Sequence, residues 1–218
     1  MSVKLWDFWA DRYSRLWVQK VSLGPTRDYV LNEIKEIALG RKLHLLDLGC
    51  GPGELLYELG ENCPQLELTG VDYSSRMLEI SQQRNGHTKH ILLDAADLDQ
   101  LEIRCDIIVC THSLPYYRDP KDVFRNLSRI LAENGRIIVA FASGNSLYDK
   151  VVLSGVKLTT GKAHYPSHRE FVEMVKEHFR VLKLNTLKKR AFYMPGIAVY
   201  TLGKKMDKTL SRTLDSRE

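Results

Sequence analysis

The 218-residue sequence predicts a doubly wound α/β fold, a mostly parallel seven-stranded sheet that closes with a C-terminal antiparallel hairpin. Three observations predict it. Short apolar runs alternate with helical stretches from residue 41 onward, which is the rhythm of βαβ units. The first run leads directly into a glycine-rich turn, Leu45-Leu46-Asp47-Leu48-Gly49-Cys50-Gly51-Pro52-Gly53. The last two runs, Val181 to Lys189 and Ile197 to Leu202, flank Met194-Pro195-Gly196, which reads as the turn of a hairpin.

Two helices precede the alternation. Trp6, Trp9, Tyr13, Leu16 and Trp17 recur at three- and four-residue steps and predict an amphipathic helix from Trp6 to Gln19. A second runs from Pro25 to Ala38, with proline suited to its first turn and Tyr29, Val30, Ile34 and Ile37 as its apolar face. Strands are expected at Leu43 to Leu48, Leu66 to Val71, His90 to Leu93, Asp106 to Cys110 and Arg136 to Phe141, short and apolar enough to be mostly buried. The intervening helices fall at Glu54 to Leu59, Ser74 to Gln83 and Pro120 to Leu131. Ala132-Glu133-Asn134-Gly135 then makes a turn in which Gly135 is free to take a positive φ. Ser167 with Glu170 three residues on predicts a capping box and a further helix, and one reversed strand is expected at a sheet edge.

The division that follows is one domain over 1–206, with a helical cover (1–40), a ligand-binding core (41–141), a lid loop (142–166), a C-terminal helix and hairpin (167–206), and a disordered tail (207–218). The composition, 44% hydrophobic and 27% charged, is that of an ordinary globular protein. No apolar run approaches the roughly 20 residues of a membrane span, and the amino terminus has no secretory pattern, so the expected location is the cytoplasm. Cys50, Cys63, Cys105 and Cys110 form no CxxC pair and read as free thiols. The formal charge of +5 owes much to Lys188-Lys189-Arg190 and Lys204-Lys205, which a solvated surface explains better than a nucleic-acid footprint.

In a parallel sheet of this kind, ligands bind beyond the carboxyl ends of the strands, at the switch point. Gly49, Gly51 and Gly53 stand there, where a backbone without side chains lets a ligand approach. About twenty residues on, the next strand ends in Gly70-Val71-Asp72, where a carboxylate can accept ribose hydroxyls or cap the following helix. The third ends in Leu93-Asp94-Ala95, and Asp94 can serve an adenine amino group or cap the turn to Leu98.

From Leu43 to Phe141, and more loosely to Leu202, the sequence resembles the class I S-adenosylmethionine-dependent methyltransferases. Asp47 to Gly53 matches that family's first motif, and Pro52 separates it from most nicotinamide-binding turns. The resemblance implies a Rossmann-like methyltransferase fold and S-adenosylmethionine as cofactor, released as S-adenosylhomocysteine. It implies that Asp47 and the backbone of Gly49, Cys50, Gly51 and Gly53 hold the methionine end. Asp72 would take the ribose, Asp94 and Ala95 the adenine side, and Tyr73 and Met77 would pack near the adenosine. Cys110 to Leu114 would line the methionine end, and Tyr13 resembles the tyrosine of similar lid helices. Where the family often carries a histidine, this chain has Pro115.

An in-line methyl transfer needs alignment and exclusion of water, with a base where the acceptor loses a proton. His112, just after the fourth strand, is the first candidate for base or acceptor-positioning group, against a structural hydrogen-bonding role. Tyr148 and His164 in the lid loop are the next candidates. His164 and His168 are spaced like a metal pair, but Pro166 between them argues against a shared helical face, so no metal is expected. The expected acceptor is a small molecule. RNA, protein, or a different chemistry on the same cofactor are the alternatives, and a nicotinamide dehydrogenase is disfavoured because Leu56 stands where a third GxGxxG glycine would fall.

Overall fold

A computed structural model describes residues 6, 7, 10, 19–145, 149, 153–154, 163–187 and 195–205. Trp6, Asp7 and Ala10 are helical, while the rest of the aromatic stripe, including Tyr13, lies outside the described residues. After a π-helical turn at Gln19–Leu23 come α1 (Gly24–Ala38), β1 (His44–Leu48), α2 (Glu54–Asn62), β2 (Glu67–Asp72), α3 (Ser75–Arg84) and β3 (Lys89–Leu92). Then follow β4 (Cys105–Thr111), α4 (Pro120–Ile130), β5 (Leu131–Ala142), α5 (His168–Val175), β6 (Phe179–Leu187) and β7 (Ile197–Lys204).

The seven strands lie in the order β3-β2-β1-β4-β5-β7-β6. β1 pairs in parallel with β2 on one side and β4 on the other, so the chain reverses its direction of travel across the sheet between those two neighbours. That crevice is the switch point. Both faces of the sheet are covered, which explains why its strands read as continuous apolar runs. Leu46, Leu48, Ile108, Cys110, Ile137, Val139 and Phe141 face a core shared with Phe124 of α4 and Phe171 of α5. Their neighbours Leu45, Ile107, Val109, Ile138 and Ala140 face another, filled by Val30 and Ile34 of α1 and Leu55, Leu56 and Leu59 of α2.

The reversed strand is not at the edge. β7 is antiparallel to both β5 and β6 and sits between them, leaving β6 outermost. Burial gives the reason: every residue of β7 from Ile197 to Gly203 is buried, whereas β6 exposes Arg180 to Leu184 in succession. A strand apolar on both faces needs neighbours on both sides. β3, expected to be buried, is the other edge, and its Lys89 and Leu92 are exposed.

Two turns repay attention. The capping box forms as the sequence predicts: the Ser167 hydroxyl accepts from the Glu170 amide, and the Glu170 carboxylate accepts from the Ser167 amide. Gly135 does not take a positive φ. Leu131 already pairs with Cys105, and the ladder resumes at Arg136 opposite Ile107, so Ala132 to Gly135 bulge out of the strand. Gly135 is required for space instead, because a Cβ there would stand 2.7 Å from Leu131 Cδ1 and 2.9 Å from the Ala132 carbonyl oxygen.

All four cysteines are buried and free. No described helix is long and apolar enough to cross a membrane. The expected tail (207–218), the basic residues Lys188 to Arg190 and the Met194 end of the hairpin turn lie outside the described residues.

Candidate active site

The turn after β1 is built by three glycines with three different tasks. All take positive φ: 79° at Gly49, 55° at Gly51 and 73° at Gly53. A Cβ at Gly49 would lie 2.5 Å from Ser113 Cβ, so this glycine lets the β1 and β4 turns touch. At Gly53 it would lie 2.1 Å from Ser81 Oγ and 2.3 Å from Asn85 Nδ2, so this one lets α3 close against the turn. At Gly51 it would meet nothing within 4 Å. Gly51 alone of the three faces open space.

Asp72 holds that turn in place. Its Oδ2 accepts from the Gly51 amide at 2.8 Å and its Oδ1 from the Ser74 amide at 2.9 Å. Burial raises its pKa against these amide contacts, which pull the other way. The cap of α3 is therefore Ser74, whose Oγ accepts from the Met77 amide at 3.2 Å, and not Asp72. Asp94 does cap: its carboxylate accepts from the Ala96 amide at 3.0 Å and starts the 3-10 turn Ala95–Gln100. Tyr73 stands within the electrostatic reach of Asp72 and Asp94, and burial pushes its phenol well up. Met77 is buried. The Ser74 hydroxyl donates to Asp7 Oδ1 at 2.6 Å, so Asp7 reaches this end of the site.

Asp47 differs. It is the last residue but one of β1 and is 1% exposed, and its Oδ1 has no hydrogen-bond partner among the described residues. Burial, with Asp72 nearby, pushes its carboxyl up to about 7. A small cleft opens beside it, lined also by Arg27, Gly49, Gly51, Glu54, Thr111 and His112. An unsatisfied buried oxygen costs about 1–3 kcal/mol. Such a group at a cleft is what a cationic donor would satisfy.

His112 lies across the cleft at φ 59°. Its amide donates to the Ala140 oxygen at 2.7 Å, and its Nε2 lies 3.1 Å from Thr26 Oγ1. Burial, then the Arg27 charge, hold its pKa down at about 4, so the ring is neutral at pH 7. Arg27 is itself held by Glu54 and Glu58, each at 3.0 Å, and by Gln19 at 2.8 Å.

The remaining candidates separate. Cys110 is fully buried in the core behind β4, and burial pushes its thiol up to about 12, so its side chain is not part of the cleft. Cys50 also lines the cleft, while its sulfur packs against Gly70, where a Cβ would come within 3.0 Å, and burial raises its thiol far above the ordinary value. His164 is exposed, and its amide donates to the Pro115 oxygen at 2.8 Å. His168 turns away to Tyr200, apart from His164. Tyr148 and Tyr13 lie outside the described residues. Sequence reasoning missed Thr26, Arg27 and Thr111. The first two sit on a helix whose apolar face was legible but whose docking against β4 was not.

Residues 46–137 match a family model described as a methyltransferase domain. That stretch is similar to methyltransferase domains over somewhat less than half of the chain. The chain is 29% identical over 138 residues to the demethylmenaquinone methyltransferase of Thermotoga maritima, covering 63% of this chain and 60% of that one. It is 28% identical over 98 residues to the malonyl-[acyl-carrier protein] O-methyltransferase of Bacillus anthracis, covering 44% and 36%. The chain thus spans less than two thirds of the length of these relatives. Among solved structures, the magnesium protoporphyrin IX methyltransferase of Synechocystis PCC 6803, determined with bound S-adenosylhomocysteine, superposes with a TM-score of 0.72 at 20% identity, covering 93% of this chain and 99% of that one. The chain therefore shares the Rossmann-like fold of that structure, with Gly49 to Gly53 and Asp72 at the switch point of the sheet.

Proposed function

We propose that this chain is a methyltransferase domain that binds S-adenosylmethionine beyond β1 and β2 and directs its methyl group to a small-molecule acceptor. The observation that carries the reading is Asp47 Oδ1, a sealed carboxylate oxygen without a partner at the wall of the cleft. The ammonium of the methionine end supplies the donor that the oxygen lacks. Residues fit the rest of the group. Asp72 accepts the backbone amides of Gly51 and Ser74, one on each oxygen, with Tyr73 beside them, and its oxygens keep lone-pair capacity for the ribose hydroxyls. Gly51 leaves room above the turn, and Arg27 offers a guanidinium at the same cleft.

When bound, S-adenosylmethionine supplies an electrophilic methyl group on a sulfonium. The chain's part is to orient and to exclude water. Asp47 and Asp72 fix the two ends. The cover contributes through Asp7 on Ser74 and Trp6, whose ring meets Tyr116 edge-on with centroids 5.1 Å apart. His112 presents a neutral imidazole that accepts the proton of a hydroxyl or amine acceptor. A small-molecule acceptor is supported by the names of the relatives, among them a demethylmenaquinone and a magnesium protoporphyrin IX methyltransferase.

Calorimetric titration of the full chain with S-adenosylhomocysteine and, separately, with NADH tests the reading. Binding of the first with none of the second is expected. Binding of NADH alone would sink it.

A further inference from the structure

Thr26 decides which nitrogen of His112 carries the proton. Thr26 is fully buried in the first turn of α1, and its Oγ1 lies 2.8 Å from the Ser22 carbonyl oxygen as well as 3.1 Å from His112 Nε2. A carbonyl oxygen only accepts, and a hydroxyl has one proton to give. Both hydrogen bonds are kept in one arrangement: Thr26 donates to Ser22 and accepts from His112 Nε2–H. A neutral imidazole protonated at Nε2 has its lone pair at Nδ1.

The Nδ1 side is open. His112 lines the cleft, and Nδ1 has no hydrogen bond to a described residue, yet it is not sealed off as Asp47 Oδ1 is. The ring cannot swivel freely, because its left-handed backbone is tied to Ala140 and a non-glycine residue holds such a conformation only where surroundings enforce it. The charged and titratable groups facing it are Arg27 on α1, Asp47 on β1 and Glu54 on α2.

We infer that Thr26 is a positioning residue that fixes His112 as the Nε2–H tautomer and so presents Nδ1 to the methyl acceptor. The catalytic consequence rests on the methyl-transfer reading. In that step the acceptor's proton passes to Nδ1, its freed electron pair forms the bond to the methyl carbon, and the carbon–sulfur bond breaks with its pair retained by sulfur. Arg27 disfavours the imidazolium that results, so the proton is passed on to solvent and the ring resets.

The test is a two-bond proton–nitrogen correlation spectrum of the full chain labelled with ¹⁵N-histidine, which identifies the protonated ring nitrogen without any acceptor. The wild type and Thr26→Ser are expected to show His112 as Nε2–H alone. Thr26→Val, which removes the acceptor oxygen, is expected to bring the Nδ1–H form from undetected to a substantial fraction, and Thr26→Ala serves if valine fails to fold. Wild-type His112 protonated at Nδ1, or an unchanged tautomer in the valine and alanine variants, overturns the inference. Titration with S-adenosylhomocysteine on the same samples separates the two readings. A tautomer unchanged in the valine and alanine variants, with binding intact, removes this inference alone, and the expected tautomer shift in a chain that does not bind S-adenosylhomocysteine removes the cofactor reading alone.

Discussion

Asp72 and Asp47 stand at or beside the ends of neighbouring strands, and Asp47 pairs in register with Gly70, two residues before Asp72. Both are buried, yet they are treated oppositely. Asp72 has two backbone amides on its two oxygens and serves as a structural clamp on the glycine turn whether or not a ligand is present. Asp47 keeps a sealed oxygen without a partner and is raised to about 7 by burial and by Asp72. One carboxylate therefore stabilises the site, while the other stores a cost that a cation relieves. The pair teaches that acids at successive strand ends are not interchangeable anchors.

Replacing the clamp has the largest expected effect. Asp72→Ala removes two hydrogen bonds to a charged group, each worth about 1.5–3 kcal/mol. Stability should fall by about 3 kcal/mol or more in chemical denaturation, and cofactor affinity should fall with it. Unchanged stability would show that the turn stands without Asp72. Asp47→Asn should separate the two properties: affinity for S-adenosylhomocysteine drops by about tenfold or more, as for a charged contact worth some 1.5 kcal/mol, while the melting temperature holds or rises because a buried charge is gone. A melting temperature that falls in parallel with affinity would make Asp47 a second clamp.

The pH dependence sharpens the same contrast. Only the ionised Asp47 pairs with an ammonium, so below a carboxyl pKa of about 7 binding must first expel a proton. Affinity is expected to rise with pH up to about 7 and level off above it, and Asp47→Asn should flatten that rise. In the free protein the sign is opposite. The folded carboxyl keeps its proton above the ordinary value of 3.8, so its contribution to stability is full below that value, declines as pH rises and is lost once pH passes about 7. The smallest effect belongs to Gly51→Ala. It meets no neighbour within 4 Å and costs only the left-handed backbone, about 1–2 kcal/mol. Gly53→Ala, which would strike Ser81 and Asn85, should cost clearly more in the same denaturation series.

Much of this was legible in the sequence because it is local. Strand ends, the Ser167–Glu170 capping box and the Asp47 to Gly53 turn are each set within a few residues by hydrophobic period, capping chemistry and glycine's access to positive φ. The Gly135 turn misled because a glycine after a helix suggests a positive φ, whereas here the limiting quantity is space beside Leu131. The reversed edge strand misled because a hairpin leaves open which of its strands joins the sheet. The buried run Ile197 to Gly203 against the exposed stretch Arg180 to Leu184 of β6 carried the answer.

The sequence by itself determined the order of the elements, the glycine turn and the acids at the strand ends, since these depend on neighbours along the chain. Only the tertiary structure decided what each acid does and which nitrogen His112 offers. Thr26 and His112 are 86 residues apart, and they meet because Val30 and Ile34 dock α1 on the core beneath it. No local pattern encodes such a meeting, because it is a product of packing.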